Sequence, residues 1–376
     1  MMGQQELAGQ RAVVREQLQE TLQMYETMLG FLGAEMEVAA AGLAIDDQSN
    51  VKLLSQSILS KDGSLKDAPP IPASTASPLA GYPDEPYVFA AGGPVPAAYG
   101  DATAVFMRKL LEANPESHGF EELTPEHWKE MEDAWKATMQ GMQSMSMIIL
   151  PGKEDDPLYS NIYSIIKLDD AEAYLGVYKK AMDQWNELLK QTTTGIELQY
   201  ESTAVQVAGK KGLLTTASFG ELANDPNVPM MKPMMEAMFG KDATMKAYLI
   251  AADAKTVVMG ISPEVEVAAA IEEVLKGETG LAQSSATQTT VKLLDPQAPW
   301  LAVVSPQGCV AWATRFVNTF MAQFGQGVPT IPAYPDSPPI GFSVNFSEGR
   351  LSIELVWPKD TLTSLATYIR KVQDSF

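Results

Sequence analysis

Pro86-Tyr87-Val88-Phe89-Ala90-Ala91 and Pro299-Trp300-Leu301-Ala302-Val303-Val304 are the two phrases on which the fold turns. Each is a short apolar run opened by proline, the pattern of a buried strand. Trp300 stands against Tyr87 at an offset of 213 positions. Working outward, the same kinds of element flank both runs. Upstream of the first lies a hairpin, Val38 to Leu59, whose apolar halves turn at Asp46-Asp47-Gln48-Ser49-Asn50. Upstream of the second lies another, Met245 to Ile261, turning at Ala252-Asp253-Ala254-Lys255. Downstream of each run comes an amphipathic helix, Ala102 to Ala113 in one case and Gly308 to Phe324 in the other. A hairpin that runs straight into a helix follows both times: Met145 to Leu168 into Asp169, and Ile340 to Trp357 into Asp360 to Val372. Hairpin, connector, strand, helix, hairpin, helix therefore recurs, at a period too long for a solenoid. This order predicts an α+β fold of two related modules, 37–193 and 194–376, each an antiparallel sheet with helices covering one face.

A long helix is expected ahead of the first module, over 1–36. Leu7, Val14, Leu18, Leu22, Tyr25, Leu29, Leu32 and Met36 follow helical spacing among Gln, Glu and Arg. Thr124-Pro125-Glu126 opens a helix to about Met142, with a capping residue, a proline and an acid in their favoured places. Ile196 to Tyr200, Ala204 to Ala208 and Leu213 to Ala217 predict a three-strand meander turning at Gly209-Lys210-Lys211-Gly212. Helices are expected at Met230 to Phe239 and from Pro263 to Lys276.

The element order, together with the phrase Pro86-Tyr87-Val88-Phe89-Ala90-Ala91, resembles that of uncharacterised exported bacterial proteins built from duplicated strand-and-helix modules. The resemblance covers most of the chain. It brings no established activity and no catalytic residues.

Composition excludes several functions. The 376 residues carry 47 acidic and 27 basic side chains, a formal charge of −20, so the clustered Lys and Arg that neutralise nucleic-acid phosphates are not expected. The same field repels an anionic membrane surface. Cys309 is the single cysteine, which rules out an internal disulfide and a cysteine-based zinc site. No apolar run reaches the 18 residues of a membrane span. Met1-Met2-Gly3-Gln4-Gln5-Glu6 has neither the basic start nor the apolar core of a signal peptide. The reading is a periplasmic or extracellular protein whose leader is absent from this chain, with the cytoplasm as the alternative.

No glycine-rich phosphate loop, His-Glu-x-x-His or Gly-x-Ser-x-Gly occurs. His118 and His127 both lie in a polar, Glu-rich stretch, poor ground for a Ser-His-Asp triad or a Cys309 partner. Ser49 to Lys52 and Ser164 to Lys167 have Ser-x-x-Lys spacing but sit in or beside predicted strands, where positions three apart face opposite ways. The acidic turns Asp46-Asp47 and Glu154-Asp155-Asp156 offer oxygens to Ca²⁺ without the spacing of a calcium loop, and are read as solvated turns.

Twenty methionines are the sharpest oddity. Met139, Met142, Met145 and Met147 form one cluster, and Met230, Met231, Met234, Met235 and Met238 another. Three readings stand. Soft thioethers at such spacing hold Cu(I) and resemble the Met-rich segments of envelope copper proteins; they also suit an adaptable apolar groove, or ordinary core filling. The Pro-rich stretch Pro329 to Pro339, with Tyr334 at its centre, is read as a stiff connector, with an extended-peptide ligand as the alternative.

The function expected is a non-enzymatic binding or structural protein of the bacterial cell envelope, with no cofactor and no metal. The alternative is a carrier that holds an apolar ligand or lipid between sheet and helices, in a groove lined by Met231, Met235, Met238, Phe239, Leu249 and Val258. A protein partner or an apolar ligand is implied, and nucleic acid is not.

Overall fold

The computed structural model describes residues 30, 33–63, 71, 77–112, 123–190, 199–218, 231–240, 243–277, 280–323, 331–347 and 349–374. The helix expected over 1–36 lies outside them, apart from a helical stretch at 33–35 that leads into the first strand.

Twelve strands are described: β1 (Met36–Ile45), β2 (Val51–Leu59), β3 (Phe89–Pro94), β4 (Met142–Ile149), β5 (Ile162–Leu168), β6 (Gln199–Val207), β7 (Lys210–Ser218), β8 (Thr244–Asp253), β9 (Thr256–Ile261), β10 (Trp300–Val304), β11 (Ile340–Ser347) and β12 (Arg350–Trp357). They form one sheet in the order β1-β2-β12-β11-β10-β3-β4-β5-β9-β8-β7-β6. Every neighbouring pair is antiparallel. Strand pairing crosses the expected 193/194 boundary three times: β2 joins β12, β3 joins β10, and β5 joins β9. The two proline-led phrases meet in the middle, with Ala90 directly opposite Val303 and Ala91 opposite Ala302.

Nine helices are described: α1 (Ala97–Glu112), α2 (Pro125–Met139), α3 (Ala171–Leu189), α4 (Met231–Phe239), α5 (Glu264–Lys276), α6 (Gly280–Gln283), α7 (Ser285–Val291), α8 (Pro306–Gln323) and α9 (Lys359–Gln373). The start of α2 obeys its sequence signal. Thr124 caps it, Pro125 occupies the first turn, and His127 reaches back to the Thr124 amide. The helix stops at Met139, three residues before the expected end, and Met142 already belongs to β4.

Two expectations need correction. The three-strand meander is a single hairpin of β6 and β7, closed by Ala208 and Gly209, whose φ values of 50° and 72° are those of the tight turn that matches strand twist. Ser202 and Thr203, which fall between the first two expected strands, continue β6, which is mostly exposed and so tolerates polar residues. Helices also cover both faces of the sheet, not one. On one face Ile166, Leu168, Leu213, Leu249 and Val257 pack against Ala171, Tyr174 and Leu175 of α3. On the other, Ile148, Tyr163, Ile165, Ile250 and Val258 pack with Val267 and Ile271 of α5. Strands buried on two sides carry continuous apolar sequence, as Ala247-Tyr248-Leu249-Ile250 in β8 does.

Close approach makes the second interface possible. Ile148, Tyr163, Gly260 and Tyr248 stand in one row across β4, β5, β9 and β8 and share a face. A Cβ at Gly260 would lie 2.8 Å from Val267 Cγ2, so glycine lets α5 rest directly on the sheet there.

Candidate functional site

Beside that contact, α5 lifts away from the sheet and leaves a cavity of about 430 Å³. Three sides enclose it. Ile148, Ile165 and Val258 form an apolar floor from β4, β5 and β9. Ala269, Ala270 and Val274 form the α5 wall, where two alanines leave the room that larger side chains would fill. Gly81, Tyr82, Pro83 and Pro86 close the third side. Tyr82 is buried and shares a hydrogen bond of 3.0 Å with Ser146 on the sheet.

The rim is polar. Glu266 from the first turn of α5 accepts from Lys153 Nζ at 2.9 Å through one oxygen, and from Ser262 Oγ at 2.7 Å and Tyr163 Oη at 3.4 Å through the other. Tyr163 also donates to Ser262 Oγ at 2.6 Å, and burial, more than these contacts, pushes its hydroxyl pKa upward. Glu273 lies two turns further along α5 and pairs with Lys276 at 2.9 Å. Glu85 reaches the rim from the third wall.

The lip between β4 and β5 is the acidic turn picked out in the sequence, and it is held from inside. Arg315 of α8 is only 8% exposed and donates to the carbonyl oxygens of Pro151, Asp156 and Pro157. Asp156 accepts from the Lys153 amide at 2.7 Å and from Asn161 Nδ2 at 2.9 Å. Gly152 (φ 72°) occupies the left-handed region, and a Cβ there would strike the Arg315 guanidinium. The turn thus spends Asp156 on its own backbone and side chains. Among the described residues no group of three or more His, Cys, Asp or Glu side chains gathers as metal ligands.

Glu85 is the electrostatic exception. Its side chain is exposed at the rim, and its carboxyl is held above the usual glutamate range by partial loss of water and by Glu266 and Glu273, with Lys153 opposing. No Lys or Arg among the described residues forms an ion pair with it. A carboxyl that takes up its proton more readily folded than unfolded loses stability as pH rises from the unfolded value through the raised one. Glu85→Gln is therefore expected to raise the melting temperature at pH 7 and to leave it unchanged near pH 4, about where an unperturbed glutamate titrates. Thermal unfolding of both chains at the two pH values checks this.

The six residues expected to line one groove are dispersed. Val258 is in the cavity floor. Leu249 is fully buried on the opposite face, beneath α3. Met235 packs with Ala243 and Phe239 in a small cluster of its own. Phe239 stacks on Tyr159 with ring centres 5.5 Å apart, and the half-buried Met238 offers its carbonyl to the Tyr159 amide. Met231 opens α4, and its side chain lies outside what is described. The first methionine cluster is divided as well: Met142 and Met145 pack under α3, while Met139 lies against Gly100 of α1. Glu85, Lys153, Tyr163, Glu266, Ala270 and Glu273 were not foreseen. One signal was available, since Glu266, Ala269, Ala270, Glu273 and Val274 fall on a single helical face with small residues between the acids.

No helix among the described residues is long and apolar enough to cross a membrane. Compared with protein-family models, with curated proteins and with solved structures, the chain matches none.

Proposed function

We propose that this protein is a non-enzymatic binding protein that carries a small apolar ligand between the sheet and α5. The observation that carries the reading is the cavity: about 430 Å³, an apolar floor on rigid strands, and a few polar groups at one end. Work outside the cytoplasm, in the bacterial envelope, suits such a carrier, and the single cysteine and the resemblance to exported proteins support that placement.

The halves of the chain are proposed to be related by duplication. The support is the strand order. Counted outward from the β10–β3 pair, one side runs β11, β12, β2, β1 and the other β4, β5, β9, β8, before β7 and β6 extend it. Hairpin answers hairpin at each step. The register agrees, because Ala90 and Val303, related by the 213-residue offset, lie opposite each other.

N-phenyl-1-naphthylamine, an uncharged dye that brightens in apolar surroundings, tests the carrier reading. One saturable site is expected in the full chain. Ala270→Trp, which fills the cavity from the α5 wall, is expected to abolish it with little change in the urea midpoint. Dye uptake that is absent from the full chain, or undiminished in a folded Ala270→Trp variant, removes the cavity as the binding site.

A further inference from the structure

We infer that the ligand of this cavity carries a positively charged nitrogen at one end of its apolar body, as an alkylammonium ion does. The inference rests on the carrier reading above and assigns the chemistry of the ligand's head. Among the lining residues Glu85, Asp156, Glu266 and Glu273 are acidic, and Lys153 is the only base. Glu266 already satisfies Lys153, so the lining offers no unpaired positive group to an incoming anion, and Asp156 is taken up within the lip. Lys276 is paired with Glu273, and Arg315 is turned away onto three backbone carbonyls. A fatty acid would bring its carboxylate against this rim and meet repulsion. A cation meets Glu85, a carboxylate exposed at the mouth of the cavity and without an ion-pair partner among the described residues.

Charge complementarity also fixes the orientation. Apolar side chains at the floor accept the hydrocarbon end, and the ammonium rests at the rim among Glu85, Glu266 and Glu273. Lys153 is mostly exposed, at 79%, and is free to swing outward when a second cation enters. Occupancy would then supply the positive charge that Glu85 lacks.

Three eight-carbon probes of matched size distinguish the possibilities: octylamine, octan-1-ol and octanoate, each competing with N-phenyl-1-naphthylamine for the full chain at pH 7. Octylamine is expected to compete about threefold more strongly than octan-1-ol, the size of one solvent-exposed ion pair, and octanoate more weakly than either. Glu85→Gln is expected to lower the preference for octylamine toward that of the alcohol and to leave octan-1-ol unchanged. Lowering the pH is expected to weaken octylamine alone, because the Glu85 carboxyl is held above the usual glutamate range. Equal competition by all three probes, the strongest competition from octanoate, or an amine preference that persists in Glu85→Gln overturns the inference and leaves the carrier reading standing. Failure of the dye itself to bind sinks that reading instead.

Discussion

Arg315→Ala is expected to cost the fold about 2–4 kcal/mol and to loosen the mouth of the cavity. The guanidinium is 8% exposed and donates to three carbonyl oxygens of the 151–157 turn. Hydrogen bonds to charged groups are worth about 1.5–3 kcal/mol each, and part of that loss is recovered as water reaches the freed carbonyls. Arg315→Lys is expected to recover little. An ammonium is a point charge that cannot span the carbonyls on either side of the turn as the planar fork does. Urea unfolding at pH 7 measures the loss, and hydrogen exchange at Lys153 and Asn161 should quicken with it. A change below about 0.5 kcal/mol, the range of ordinary surface substitutions, would show that the turn keeps its shape without Arg315.

Leu249→Ala and Ile250→Ala are expected to be about equally damaging, at about 2–5 kcal/mol apiece. The two residues are adjacent on β8 and both fully buried, yet their side chains leave the strand on opposite sides. Leu249 enters the cluster under α3 and Ile250 the cluster under α5. In a sheet covered on one face, one of the pair would be cheap to truncate. The double variant is a further check: with the sheet between them, the two losses should nearly add. Urea unfolding of the three variants gives the comparison.

Much of the sheet was legible locally. The hairpins β1–β2, β8–β9 and β11–β12 follow from polar turns set between apolar runs, and β3 and β10 from their shared proline-led phrase. Pairings between distant strands were not legible. Nothing in Val51–Leu59 says that its partner is Arg350–Trp357, because a half-buried strand presents the same alternation to any neighbour of matching register. The groove failed for a related reason. In Ala247-Tyr248-Leu249-Ile250 every residue is apolar, so the period that would assign Leu249 to one face and Ile250 to the other is missing. The cavity was hidden more deeply still. Its walls come from 81–86, 148–165, 258 and 266–274, and no single window of sequence contains them. Of the readings of the methionine clusters, core filling fits Met142, Met145 and Met235, which serve as adaptable filling in packed clusters.

Crystals of the full chain grown with octylamine test the central claim most directly. Density is expected for one alkyl chain over Ile148, Ile165 and Val258, beneath Ala270, with its nitrogen at the rim beside Glu85. An alkyl chain bound elsewhere, or a cavity closed by repacking of α5 onto the sheet, would contradict it.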